Sequence, residues 1–296
     1  MKKIILIANP AAGSERRDKI DKVVKILGER SPLKIFLTGK KGDAEESARS
    51  LNVNDADIVV VAGGDGTINE VINGLLGNPA IRIPVGIIPL GISNVLAHEL
   101  GIPAGIEESC DIIFNGITRK INLGIVNGRY FSLMVGVGFD AAVVHALNPR
   151  FKAIFGKLAY ILTGFRILPW YIPEEITVKT DTAEIIRGYH VIISNSRLYG
   201  GNFIVTPEAG IYKTGLDICI FQGRRRIDIL RHVIGIVTNR HLRFKDTVYR
   251  KAETVDITSN GSIISQLDGD AFSGVPLKII SCKDAIEFIV PYNKNV

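Results

Sequence analysis

The chain has 296 residues, 46% hydrophobic and 22% charged, with 30 glycines and 12 prolines. That length suits two domains or one large one, and the composition excludes a disordered or fibrous chain. The formal charge of +6 favours an anionic partner without choosing among nucleotide, nucleic acid and acidic lipid. Cys110, Cys219 and Cys282 form no CxxC pair, which excludes a disulfide framework and a zinc ribbon and points to a reducing compartment. No run reaches the roughly 18 uninterrupted apolar residues of a spanning helix, although a mean hydropathy of +0.22 is high for a soluble enzyme. The opening Met1-Lys2-Lys3 and Ile4 to Ala8 mimic a signal peptide, but Asn9-Pro10 stops the apolar run, so a first buried strand is expected.

Up to about Leu123, apolar runs alternate with helical stretches: Ile4 to Ala8, Arg16 to Glu29, Lys34 to Leu37, Gly42 to Leu51, Asp57 to Ala62, Thr67 to Leu76 and Val85 to Pro89. Continuous rather than alternating Ile and Val runs belong to a sheet covered on both faces, so the pattern predicts a doubly wound α/β domain. Beyond Asn122 the segments become β-like: Tyr130 to Val135, Glu175 to Lys179, Tyr189 to Ser194, Leu216 to Phe221, Thr254 to Thr258 and Pro276 to Cys282. Asn127-Gly128, Gly200-Gly201-Asn202, Asn260-Gly261 and Asp268-Gly269-Asp270 mark turns between them. This predicts a mostly antiparallel β-rich domain, interrupted by helices at about Phe151 to Leu168 and Arg226 to Thr238. The latter of the two domains takes about 123–287, and the first 1–122 plus about 288–296.

The most informative segment is Asp57 to Glu70, where a buried strand enters Gly63-Gly64-Asp65-Gly66 and then a helix with Thr67 and Glu70 in capping-box spacing. Glycines permit positive φ and close backbone approach, so successive N–H groups can meet a phosphate at the helix N-terminus. A carboxylate at Asp65 makes sense there if it works through magnesium or water or positions an attacking hydroxyl. Asn9-Pro10-Ala11-Ala12-Gly13 and Pro89-Leu90-Gly91-Ile92-Ser93-Asn94 also follow strands, and ligands of open α/β sheets bind at such carboxyl ends.

These three loops and the Asp268-Gly269-Asp270 turn, taken in order, resemble the diacylglycerol kinase catalytic-domain family, which includes sphingosine, ceramide and bacterial lipid kinases. Ser194-Asn195 through Tyr199-Gly200-Gly201 to Pro207 and Ala209 is similar to the family pattern too. The resemblance spans nearly the whole chain. It implies an ATP-dependent, magnesium-requiring kinase of lipid metabolism that phosphorylates a lipid hydroxyl, with its active site in the cleft between the domains. It further implies that Asn9, Thr38, Gly63, Gly64, Asp65, Gly66, Thr67 and Asn94 touch the nucleotide and that Asp268 lies close to it. Asp270 would be the base and Asp65 the organiser of ATP-bound magnesium or of the hydroxyl. The family commonly carries Glu where Asp270 stands and Thr where Ile92 stands. Aspartates that hold a structural magnesium in some Gram-positive members fall near Asn122 and Thr214, so that ion is not carried over. A cytoplasmic enzyme touching an anionic membrane surface is expected; a homodimer is left open.

Gly136-Val137-Gly138-Phe139-Asp140-Ala141 matches a dinucleotide fingerprint, but no acid stands between Ala141 and Pro173 to take a ribose, so the glycines read as a tight turn of the β domain. The P-loop, HExxH and GxSxG patterns are missing. NAD kinase and sugar-phosphate kinases share the Gly-Gly-Asp-Gly turn, while Ile68 to Gly74 and Asn94 to Ala97 look more like the lipid kinases. A non-catalytic nucleotide- or lipid-binding protein is the alternative of a different class. Nucleic acid is not expected, because Arg224-Arg225-Arg226, Arg231, Arg240, Arg243 and Lys245 lack interleaved aromatics. In the acid-free stretch Ile154, Leu158, Ile161, Phe165 and Leu168 form one stripe, with Arg150, Lys152, Lys157 and Arg166 its charges, an arrangement that suits either an anionic membrane or a core helix lying on the β domain.

Overall fold

The computed structural model describes residues 2–10, 14–148, 151, 155–156, 158–201 and 203–292, with the side chains of 14–16 outside that set. The chain divides into two units, Met1–Ile121 with Asp284–Val296, and Asn122–Lys283. The first unit runs β1 (Ile4–Ala8), α1 (Ser14–Arg30), β2 (Leu33–Leu37), α2 (Asp43–Arg49), β3 (Ile58–Gly63), α3 (Asp65–Leu76), β4 (Val85–Pro89), α4 (Val95–Glu99) and α5 (Ile106–Asn115). Its strands are parallel in the order β2-β1-β3-β4. β1, β3 and β4 are buried along their whole length, which is why they read as unbroken apolar runs. One face packs on α1 and α5 through Ile20, Val23, Leu27, Cys110 and Ile113. On the other, α2 and α3 cross so closely that a Cβ on Gly74 would sit 2.3 Å from the Glu45 carbonyl oxygen. Phe288 pairs in parallel with Val85, so the C-terminal residues complete this sheet.

The second unit begins within β5 (Ile117–Val126) and continues through β6 (Arg129–Phe131), β7 (Met134–Val137), α6 (Phe139–Ala146), α7 (Leu158–Ile167), β8 (Ile176–Thr180), β9 (Ile185–Gly188) and β10 (His190–Ser194). After the short pair β11 (Leu198–Tyr199) and β12 (Phe203–Ile204) come β13 (Leu216–Phe221), α8 (Arg226–Val237), β14 (Thr247–Ala252), β15 (Thr254–Ser259), β16 (Ile264–Leu267), β17 (Asp270–Gly274) and β18 (Leu277–Val290). An antiparallel sheet of order β14-β13-β10-β7-β16-β17 shares one core with β5, β6, β8, β15 and β18. Along β10, Val191 and Ile193 enter that core, while Ile192 faces the other way with Cys219 and Phe221 beneath Ile236 of α8. This is the expected antiparallel β-rich domain.

Three differences from the sequence reading have physical causes. The segment 130–135 is two strands rather than one, because the N–H groups of Ser132 and Leu133 turn to the Asp268 carboxylate instead of a neighbouring strand. The last strand continues to Val290 instead of stopping at Cys282, and its return to the first unit begins at Asp284. Helices α4, α5 and α6 are additional; Gly138, at φ 99°, starts α6 where a tight turn was expected. Residues 152–154 and 157 of the expected 151–168 helix lie outside the described set.

Gly124 of β5 pairs directly with Phe131 of β6, and a Cβ there would fall 2.0 Å from the fully buried Phe131 ring. Gly124→Ala is therefore expected to overpack the second unit by about 1–3 kcal/mol. A thermal melt checks this, and an unchanged melting temperature would show that the ring can move aside.

Candidate active site

In the first unit, the parallel register brings four loops to the carboxyl ends of adjacent strands. The Asn9 N–H donates to the Ala62 carbonyl (3.0 Å), that of Thr38 to Ala8 (2.9 Å) and that of Leu90 to Gly63 (2.9 Å). Asn9 Nδ2 donates to Thr67 Oγ1 at 3.2 Å, tying the first loop to the glycine turn. The Asp65 carboxylate accepts the Leu96 N–H at 3.1 Å, inside the first turn of α4, where helix amides favour a negative charge. The structure thus brings Asn9, Thr38, Gly63 to Thr67 and Asn94 together in one unit. Ala11, Ala12 and Gly13 of the first loop lie outside the described residues.

The glycines act through proximity. None of Gly63, Gly64 and Gly66 has positive φ; Gly64 is extended at φ −104°, ψ −176°. A Cβ on Gly64 would instead lie 3.1 Å from the Gly91 Cα, and one on Gly91 would lie 2.5 Å from the Gly64 Cα and from Asn94 Oδ1. A Cβ on Gly63 would meet Thr67 at 2.8 Å, whereas nothing lies within 4 Å of one on Gly66. The capping box also gives way. The helix begins at Asp65, two residues before Thr67, and Glu70 accepts the Gly42 N–H at 3.0 Å rather than reaching back along α3. Ile68 makes the first N–H bond to a carbonyl of this turn, that of Gly64, so the amides of Gly66 and Thr67 belong to the helix start.

In the second unit, Asp268 and Gly269, at φ 49° and 85°, form a two-residue turn between the paired residues Leu267 and Asp270. Both central residues are left-handed, as a type I′ hairpin requires, and Asp-Gly suits it. The Asp268 carboxylate accepts the Ser132 N–H (2.8 Å) and hydroxyl (3.1 Å) and the Leu133 and Met134 N–H groups (2.9 Å each). Burial pushes this carboxyl above the ordinary aspartate range, and these donors pull it back. Those bonds give Asp268, expected beside the nucleotide, a structural task within its own unit. Asp270 opens β17 and is half-buried. Asn122 donates its N–H to the Ile211 carbonyl (2.7 Å) and its Nδ2 to that of Lys213 (2.8 Å), so an amide clamps the loop preceding Thr214. Asp140, Tyr199 and Gln266 form a further polar group, Gln266 buried and the other two half-buried, that the sequence leaves unassigned. Their signal was the Gly136-x-Gly138-x-Asp140 motif.

A family model described as the diacylglycerol kinase catalytic domain matches residues 3–126, and one described as the YegS C-terminal NAD kinase beta sandwich-like domain matches 133–290. The chain belongs to the diacylglycerol kinase catalytic-domain family. A diacylglycerol kinase of Bacillus subtilis is 29% identical over 99% of this chain and 98% of its own. One of Staphylococcus saprophyticus is 30% identical over 98% of this chain and 96% of its own. A diacylglycerol kinase structure from Bacillus anthracis is similar at a TM-score of 0.79 and 25% identity, covering 98% of this chain and 97% of that one. An NAD kinase from Archaeoglobus fulgidus, at 0.55 and 13% over 98% and 94%, shares the fold alone. The protein is thus a kinase of the diacylglycerol kinase type, a nucleotide-using transferase.

ATP fits the first-unit loops on observations of this structure. Asn94 Oδ1 is buried without a hydrogen-bond partner, and the space over Gly66 at the start of α3 is open to an anion. Among the described residues no group of three His, Cys, Asp or Glu is arranged to hold a metal. Gly64→Val, whose larger side chain must displace the Gly91 backbone, is expected to weaken ATP binding at least about tenfold. Calorimetric titration of the folded variant decides it; wild-type affinity would place the phosphate site elsewhere.

Proposed function

We propose that the protein transfers the γ-phosphoryl group of ATP to the hydroxyl of diacylglycerol or a related lipid. Carrying this reading is the packing of the Gly64 turn against Gly91, with an open start to α3, in a chain that belongs to the lipid-kinase family along nearly all its length. The Gly64–Thr67 turn receives the phosphates, and Asn9, Thr38 and Asn94 hold the rest of the nucleotide. A magnesium ion accompanying ATP would supply neutralisation of the developing phosphate charge, and Asp65, the carboxylate of the glycine turn, is the residue that would hold it. Asp270 takes the proton of the lipid hydroxyl as its oxygen bonds to the γ-phosphorus and the bond to the β-phosphate oxygen breaks, leaving ADP.

The lipid comes from a membrane, and the second unit carries an apolar basic surface suited to an anionic one. In α7, the small Ala159 and Thr163 are buried, while Leu158, Ile161, Leu162 and Phe165 face outward. A helix whose large apolar side chains point to solvent is not a core helix. Trp170, 77% exposed, and Ile172, 73% exposed, follow it, and Arg226 Nε donates to the Tyr171 carbonyl at 3.1 Å, joining α8 to the same region. Ile227, Ile234 and Val237 of α8 are exposed as well, as are Arg224 and Arg225 before it. Each basic residue near an anionic bilayer contributes on the order of 1 kcal/mol. Lys152 and Lys157, expected on this surface, lie outside the described residues. Among the described residues no helix is long and apolar enough to cross a membrane, consistent with peripheral attachment. We place the enzyme in the cytoplasm, where its cysteines, free in the structure, stay reduced.

Asp270→Asn is expected to lower kcat by about 10²-fold or more while leaving ATP affinity nearly intact. Assay with radiolabelled ATP across a series of lipid acceptors measures this and identifies the acceptor. Retention of most of kcat would move the base to Asp65. Leu158→Glu with Phe165→Glu should abolish binding to vesicles containing anionic lipid and activity on bilayer substrate, yet keep turnover of a short-chain acceptor dispersed in solution. Equal loss on both acceptors would make α7 a support of the fold, and unchanged vesicle binding would place the docking surface elsewhere.

A further inference from the structure

Gln266 and Asp140 sit at the join between the antiparallel sheet of the second unit and the turn that carries Asp270. Gln266 Nε2 donates to Asp140 Oδ2 at 2.8 Å, and Gln266 Oε1 accepts the N–H of Gly269, the residue before Asp270, also at 2.8 Å. The Tyr199 hydroxyl donates to Asp140 Oδ1. Hydrogen bonds therefore run from a side chain in α6 through one in β16 to the backbone of the turn, while the Asp268 carboxylate grips the same turn from the Ser132–Met134 side. Gln266 is buried, and burial pushes the Asp140 carboxyl above the ordinary aspartate range against the pull of its two donors.

The Gly136-x-Gly138-x-Asp140 motif exists to let this contact form. In the β7–β16 ladder Gly136 lies directly opposite Gln266. A Cβ on Gly136 would sit 1.9 Å from Asp140 Oδ2 and 2.7 Å from Gln266 Nε2, so only glycine leaves room for the two side chains to meet. Gly138, at φ 99° and with a Cβ position 2.5 Å from the Tyr189 carbonyl oxygen, starts α6 at the point that puts Asp140 in its first turn. A partly buried polar chain of this kind stabilises little beyond what an apolar trio of similar volume would, yet it fixes geometry because its members must point in set directions.

We propose that Asp140 and Gln266 are positioning residues that hold the Asp268–Asp270 turn and thereby place the Asp270 carboxylate for proton transfer. This rests on the reading of Asp270 as the base. The bonds have a direction, which makes them testable. Gln266→Glu sets a carboxylate oxygen against the Asp140 carboxylate. Asp140→Asn sets an amide donor either against Gln266 Nε2, where flipping Gln266 turns its amide donors onto the Gly269 N–H, or onto the Tyr199 hydroxyl, which then accepts instead of donating and leaves the Gln266 bond in place. The double exchange, Asp140→Asn with Gln266→Glu, keeps the net charge and restores every donor–acceptor pair, including the Tyr199 bond.

Gln266→Glu is expected to lose kcat by roughly tenfold or more and Asp140→Asn to lose less, each with the KM for ATP within about twofold of wild type, since a displacement of about 1 Å at a reacting group can cost two orders of magnitude. The double exchange should recover kcat to within about threefold of wild type, assayed on dispersed short-chain acceptor. If Gln266→Glu does not fold, Gln266→Asn, one methylene too short to reach both partners, replaces it with the same expectation. Gln266→Glu with wild-type kcat overturns the proposal, as does a double variant whose loss is the sum of the two. Losses that fall equally on the KM for ATP overturn it too. Asp270→Asn is run alongside: if that variant keeps its kcat the base assignment fails, whereas an inactive Asp270→Asn beside active Gln266 and Asp140 variants refutes only the positioning role.

Discussion

A parallel sheet buried on both faces can offer a ligand little but the ends of its strands. β1, β3 and β4 are covered completely, so the chemistry of the first unit has to gather where they stop. Register decides what meets there: Ala8 lies beside Ala62, and Gly63 beside Pro89. The loops that follow are then pressed together, and the contact between Gly64 and Gly91 is the consequence. Two backbones at that distance cannot carry side chains between them. Asn94, left-handed at φ 45°, turns the chain into α4, and Asp65 takes an N–H of that short helix, so the residues proposed to hold nucleotide and magnesium also hold the two loops to each other.

The second unit has no common strand end to exploit, since its neighbours run in opposite directions. It fixes the proposed base with a hairpin instead. A type I′ turn matches the twist of its strands and puts Asp270 at a defined ladder position opposite Leu267. A hairpin tip is nevertheless free to hinge, and the Asp268 carboxylate removes that freedom by taking three backbone N–H groups and a hydroxyl from Ser132 to Met134. Charge-assisted bonds are the strong kind, and stripping the acceptor from three inward N–H groups would leave each with a desolvation penalty of about 1–3 kcal/mol. On the Ser132–Met134 side, the hold on the turn is therefore carried by one side chain.

Legibility in the sequence followed the range of the interactions. Val85–Pro89 and Leu216–Phe221 end where their apolar runs end, because burial on both faces leaves its mark residue by residue. Asn127-Gly128 and Asp268-Gly269 were legible as turns for the same local reason. The break at Ser132-Leu133 was not, since its cause lies 136 residues further along the chain. α4 lacked a signal of its own, being one turn entered through a left-handed Asn94, whereas α5 carries legible ones, Glu107 and Glu108 in its first turn, Ile106, Cys110 and Ile113 at helical spacing and Gly116 past its end. The glycine turn is legible, but the positive φ expected of it is absent, and its contact with Gly91 depends on a loop whose distance no single sequence reveals. The Thr67–Glu70 spacing misled in the same way; Glu70 was engaged by Gly42, outside its own helix.

Two glycine motifs in this chain show why spacing alone underdetermines chemistry. Gly63-Gly64-x-Gly66 and Gly136-x-Gly138 both follow buried strands and both open helices. At Gly66 the missing side chain leaves open space at a helix start, a vacancy that an anion can fill. At Gly136 the space is already taken: the Asp140 carboxylate and the Gln266 amide occupy the volume a methyl group would need. The same residue type is proposed to serve a ligand in one place and serves a side-chain contact in the other. What separates them is the strand opposite. β16 presents Gln266 to Gly136, whereas the residue facing the glycine turn across the strand ends is another glycine, Gly91, which brings backbone and no competing side chain. A glycine motif after a strand thus argues for phosphate only where its spatial neighbour is also small, and that neighbour is set by the register of the sheet.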